Sequence, residues 1–249
     1  MLLSEPPRTP LDLRFSLFGI PVRVHPLFWL VGVLLGLSNP DLFQMAIWLA
    51  ALFVSILVHE LGHALAYRAY GFYPWITLHA LGGLTSHDPG QGFGARRPGR
   101  WPDIQISAAG PVAGFVLSAI VIGAIILSGH YVERDDSYYG LVIRLADTVL
   151  SPQFTDFLND ILWASILWGI LNLMPIYPLD GGQIARELFL MANPRDGVRQ
   201  SLVLSMIAAV AMAAVAWLLW SSPYSAIFFA MLAYESYAAL QSSIGRGPR

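Results

Sequence analysis

Cysteine is absent from the 249 residues, which excludes disulfides, iron–sulfur clusters and thiol nucleophiles. Any transition-metal site must therefore be built from histidine and carboxylates. Lysine is absent as well: all 14 basic residues are arginine, so Schiff-base chemistry is excluded. Charge of either sign is scarce, at 12% of residues, about half the roughly 25% usual in soluble domains. The formal net charge of −2 carries no basic footprint, and no nucleic-acid partner is expected. Apolar residues fill the place of charge: 56% of the chain is hydrophobic and mean hydropathy is +0.58. This composition predicts an integral membrane protein, read as a single domain over 1–249.

Crossing a hydrocarbon core of about 30 Å takes about 20 apolar helical residues. Uncharged runs start at Leu42, Ile104 and Ile161, and a longer one from Gln200 to Tyr234 is split by Ser221-Ser222-Pro223. Leu27 to Leu37 reaches across only if Ile20 to His25 extends it. The expected fold class is all-α and polytopic, with about six transmembrane helices near 20–38, 42–70, 104–129, 157–179, 200–220 and 224–241. A short β-hairpin or re-entrant segment is expected after the second span, turned on Gly82-Gly83. With six spans, alternate sides hold 12 and 2 arginines, which predicts cytoplasmic termini in the cell membrane. No cleavable signal peptide is expected. Asp88 to Pro102 reads as a solvated loop, and Tyr138 to Leu150 as a candidate amphipathic surface stretch.

The chemistry concentrates at Val58-His59-Glu60-Leu61-Gly62-His63, near the end of the second span. Residues i and i+4 of a helix share a face, so His59 and His63 can grip one ion. Glu60 beside them is of the right type to take a proton from a hydrolytic water. Ionisable side chains within a span are costly and functional by default. Catalytic zinc takes three protein ligands, and with no cysteine the third must be His, Asp or Glu. Asp180, in Asn172-Leu-Met-Pro-Ile-Tyr-Pro-Leu-Asp180-Gly-Gly, is the leading candidate. It lies 19 residues after Ile161, as His59 lies 17 after Leu42, so the two reach similar depth. Pro175 and Pro178 break the helix there, and Gly181-Gly182 allow close backbone approach. The bland alternative for Asp180 is an N-cap of the following helix. His79 and His87 are ligands only if Asp180 is not. His25 reads as an interfacial histidine, and Glu235 as a lone carboxylate in the last span.

With these motifs the chain resembles the site-2 protease family of intramembrane zinc metalloproteases. The matching residues are His59 to His63, Leu81-Gly82-Gly83, Ala109-Gly110-Pro111 and Asn172 to Gly181, which is similar to the family's NxxPxxxLDG signature. Val24-His25-Pro26-Leu-Phe-Trp resembles the start of a small bacterial branch that lacks PDZ and CBS domains. The resemblance implies one zinc per chain on His59, His63 and Asp180, with Glu60 as the base. It also implies that Asn172 lines the cleft and contacts substrate or oxyanion. One departure is visible: relatives often place Asn three positions after Gly110-Pro111, where this chain has Gly114.

The expected function is a zinc-dependent intramembrane endopeptidase that cleaves the transmembrane segment of single-span membrane proteins, as in regulated intramembrane proteolysis. Its expected partners are the lipid bilayer and that substrate; a regulatory membrane partner is left open. Gly82 and Gly83 are candidates for pairing with an unwound substrate strand. The scissile bond is expected in the cytoplasmic part of the substrate's span. The rival reading is a membrane metal-ion transporter or a catalytically silent chaperone. Glu60 separates the two, because a transporter has little need of a non-ligating carboxylate between two ligands.

Overall fold

A computed structural model describes residues 5–37, 41–80, 82–92, 99–135 and 142–244. These fall into two compact units, one of residues 5–92 with 109–169 and one of residues 99–108 with 170–244.

The first unit opens with a hairpin of β1 (Leu13–Leu17) and β2 (Ile20–Val24). Phe18 and Gly19 both take positive φ in its two-residue turn, the conformation that matches strand twist. Ile20, Val22 and Val24 alternate onto one buried face. Next come α1 (Pro26–Leu35) and α2 (Leu42–Ala69), followed by β3 (Phe72–His79) and β4 (Gly82–Gly92). The sheet order is β1-β2-β3-β4, with β2 parallel to β3 and the other pairs antiparallel. The buried sheet residues pack on Phe28 of α1 and on Leu52, Ile56, Leu57 and Leu61 of α2.

Asp41 caps α2 by accepting the amides of Phe43 and Gln44 at 2.9 and 2.8 Å, a contribution of about 1 kcal/mol. Gly71, at φ 85°, ends the helix and turns the chain into β3. The 28 residues of α2 extend for about 42 Å. α3 (Arg100–Leu127) and α4 (Pro152–Asn172) follow, joined by a second hairpin of β5 (Val132–Asp135) and β6 (Val142–Leu145).

The second unit holds α5 (Asp180–Ala192), α6 (Gly197–Leu218) and α7 (Pro223–Ile244). Its core joins Ile176, Ala209, Ala216, Phe229 and Leu232. Alanines at this contact let helices approach closely.

Among the described residues four helices, α2, α3, α4 and α6, are long and apolar enough to cross a membrane. The chain is thus a mostly helical, multi-pass membrane protein, and the six-span count is not reached on this criterion. Span 20–38 is corrected in its first part. Ile20–Val24 is a strand, and α1 has ten residues, about 15 Å of helix. The Arg68 guanidinium, at the end of α2, donates to the Phe18 carbonyl at 2.5 Å, which holds the first hairpin at that end. α1 then packs back along α2, where the Trp48 indole N–H donates to the Gly32 carbonyl at 3.0 Å.

Three smaller expectations also change. An all-α class omits a four-stranded sheet, whose hairpin reverses between His79 and Gly82 with Gly82-Gly83 already inside β4. Leu81 and the segment 93–98 lie outside the described residues. The loop expected from Asp88 is strand as far as Gly92 and helix from Arg100. Within Tyr138 to Leu150, residues 138–141 lie outside the described set and Val142–Leu145 is strand, because its edge pairs with β5.

Candidate metal centre

The metal-binding pair comes from one face of α2. His59 and His63 are buried, with their Nε2 atoms 3.2 Å apart and their rings nearly perpendicular at 73°. Two nitrogens bound to one tetrahedral zinc at the usual length stand about 3.3 Å apart, so the pair is spaced as two ligands of one ion. α3 supplies the floor under them. A Cβ on Gly110 would collide with His63 Nε2 and lie 2.7 Å from His59 Nε2. Gly62 of α2 faces α3 in the same way, with the Ala109 carbonyl and the Ala113 side chain against the place of its missing Cβ. Small residues on both helices thus bring the backbones together and leave the donor atoms as the occupants of the space.

Glu60 is buried beside the pair and is held by β4. The Thr85 hydroxyl donates to its Oε2 at 2.7 Å, with the Glu60 carbonyl 3.1 Å away as a secondary acceptor. Gly83, two residues earlier on the same face of β4, has the Glu60 carboxylate where its own Cβ would be. Replacing Gly83 with alanine is therefore expected to displace the carboxylate while sparing the imidazoles. The measurable outcome is a fall in kcat with zinc content unchanged; wild-type kcat in Gly83→Ala would contradict this packing. Thr85 was not among the residues singled out from sequence. The period of two from Gly83 was the available signal.

The other expected site residues are distributed as follows. Asp180 belongs to the second unit and is the first residue of α5. Leu179 occupies the cap position and makes no side-chain cap bond, so Asp180 is not the N-cap. Asn172 ends α4, is buried, and also belongs to the second unit. Gly82, at φ 107°, pairs with His79, and a Cβ there would lie 2.5 Å from the Trp168 ring.

His79 is buried on β3. Its burial, and then the neighbouring His25 and Arg23, hold its pKa below the usual histidine value. His87 packs on the rings of Tyr67 and Phe72. His25 is buried: Nδ1 accepts the Leu27 amide at 3.2 Å and caps α1, while its backbone N–H donates to the Leu78 carbonyl at 2.8 Å. Glu235 is half-buried on α7.

The family model for peptidase family M50 matches residues 47–216. A zinc metalloprotease of Methanocaldococcus jannaschii is 28% identical over 180 residues, covering 70% of this chain and 44% of the relative. Rip3 of Mycobacterium tuberculosis is 30% identical over 199 residues, covering 73% of this chain and 44% of its own. The chain thus spans under half the length of these curated relatives. Among solved structures, the site-2 protease from Methanocaldococcus jannaschii has the same fold. Its TM-score is 0.57 at 22% identity, over 92% of this chain and 95% of that one. With the model match covering most of the sequence and the paired histidines and glutamate falling inside it, the chain belongs to peptidase family M50, the site-2 protease family.

Proposed function

We propose that the protein is a zinc-dependent intramembrane endopeptidase that cleaves the transmembrane segment of single-span membrane proteins in regulated intramembrane proteolysis. The observation that carries this reading is the 3.2 Å spacing of the two Nε2 atoms with a buried, hydrogen-bonded Glu60 next to them. Two nitrogen donors over a glycine floor suit zinc, and family membership supports the same metal. The proposed ligands are His59, His63 and Asp180, with one ion per chain. Asp180 is supported by its place in the LDG segment and by its release from a capping role. When bound, zinc supplies a Lewis acid that polarises the scissile carbonyl and acidifies water.

The chain's own groups do the remaining work. Glu60 accepts a proton from the attacking water and returns it to the leaving amine. The Asn172 side-chain amide donates to the developing oxyanion. A substrate helix hides its amides in internal bonds, so it must unwind before attack. β4 is an edge strand of the described sheet, and it is proposed to pair with the unwound segment along Gly82-Gly83. The N-terminal hairpin is held at the Arg68 end of α2, and the arginine-rich side, with both termini, is proposed to face the cytoplasm. A regulatory membrane partner that gates access belongs to the same proposal.

Metal analysis tests the ligand set. His59→Ala and Asp180→Ala are each expected to lose both zinc and cleavage. Full zinc occupancy in Asp180→Ala would remove it from the ligands and favour His79 or His87. Rapid exchange of several ions per chain would instead support the transporter reading.

A further inference from the structure

We infer that Thr85 is a positioning residue that fixes which oxygen of Glu60 acts as the base. The inference rests on the reading of Glu60 as the proton acceptor and deepens it. A threonine hydroxyl has a single proton to donate. The 2.7 Å contact with Oε2 is the shorter of its two and points to the charged acceptor, where hydrogen bonds are strongest. Oε2 is thereby engaged by β4.

Oε1 lies on the Gly83 side, where a side chain would collide with it. Residues 83 and 85 share one face of the strand, so the same face binds one oxygen and clears space beside the other. The carboxylate is thus held through Oε2 from outside its own helix and packs beside Gly83. Oε1 is left as the atom that takes the proton from water and later delivers it to the amine. A glutamate has three side-chain torsions, and this arrangement removes the freedom of the last one before substrate arrives. Nothing in the His59–His63 segment itself supplies that constraint; it comes from β4.

The test uses the full chain in detergent, loaded with zinc, and a synthetic single-span apolar peptide carrying a fluorophore and a quencher. Thr85→Val keeps the shape and removes the donor. It is expected to lower kcat about 10- to 100-fold, the usual cost of losing such a supporting partner, with KM and zinc content unchanged. Thr85→Ser restores the donor and is expected to restore kcat.

Infrared difference spectra give a readout independent of turnover. The carboxylate band that disappears in Glu60→Gln should shift in Thr85→Val and hold its position in Thr85→Ser. Wild-type kcat in Thr85→Val, an unmoved band, loss of zinc in that variant, or failure of serine to rescue would each overturn the positioning role. In that case a silent Glu60→Gln would leave the base assignment standing. Cleavage that survives in Glu60→Gln would overturn the base assignment and this inference together.

Discussion

Glu60→Gln is expected to bind zinc as the wild type does and to cleave about 10²- to 10⁴-fold more slowly, the range spanned by a positioned general base. That corresponds to about 3–5 kcal/mol of transition-state stabilisation. The amide is nearly isosteric with the carboxylate and fits the gap beside Gly83, so packing is preserved. It has no basic oxygen, and its NH₂ cannot accept a proton from water. The Thr85 hydroxyl can still donate to the amide oxygen, which keeps β4 in place. Zinc content by metal analysis and cleavage of a labelled single-span peptide are measured on one preparation. Full cleavage with full zinc would remove Glu60 from the chemistry. Loss of zinc would show instead that Glu60 supports the ligands.

The second large effect is expected at a residue with no side chain. Gly110→Ala places a methyl group against His63 Nε2 and 2.7 Å from His59 Nε2. Either the imidazoles swing away or α3 retreats from α2, and α3 is held close by the Gly62 contact with Ala109. Zinc affinity is therefore expected to fall by about 10- to 100-fold or more, with cleavage falling alongside. Competition against a chelator measures this without any substrate.

Gly123→Ala is the control. It lies on the same helix with open space around its missing Cβ, and alanine in a helix is about 1 kcal/mol better than glycine. That variant should keep zinc and resist heat slightly better. Equal zinc affinity in Gly110→Ala and wild type would refute the floor that α3 is said to provide.

The legible parts of the site were those set by local periodicity. His59 and His63 share a face because any helix through them makes it so, and the composition already required histidine and carboxylate ligands. Asp180 could be singled out because its proline-broken, glycine-flanked segment is unusual beside an apolar run.

Thr85 and Gly110 were harder to read, since their roles depend on how β4 and α3 approach α2, which no spacing within either segment encodes. Ile20 to Val24 shows a different kind of miss. Its apolar residues fall at every second position with Pro21 and Arg23 between them, a strand pattern that an apolar-run reading merged into a span. Arg23 in that strand is buried and paired with Glu5 at 2.9 Å and Asp12 at 3.2 Å. A helix placed in lipid would leave such a charge without those partners.

The parallel pairing of β2 with β3, Val22 opposite Ile76, dictates an order of assembly. Residues 13–24 are synthesised first, yet their strand partner emerges only after α1 and α2 have been made. Parallel strands need a crossover of this kind, and here the crossover contains a helix that must enter the bilayer. The first hairpin therefore lacks its parallel partner until α2 and β3 have been made. β4 can complete the sheet only after that, and with it come Gly83 and Thr85. The strand that orients Glu60 is thus among the last pieces of the first four strands to reach its place. A nascent chain whose histidines are already within α2 still lacks the contacts that hold its carboxylate.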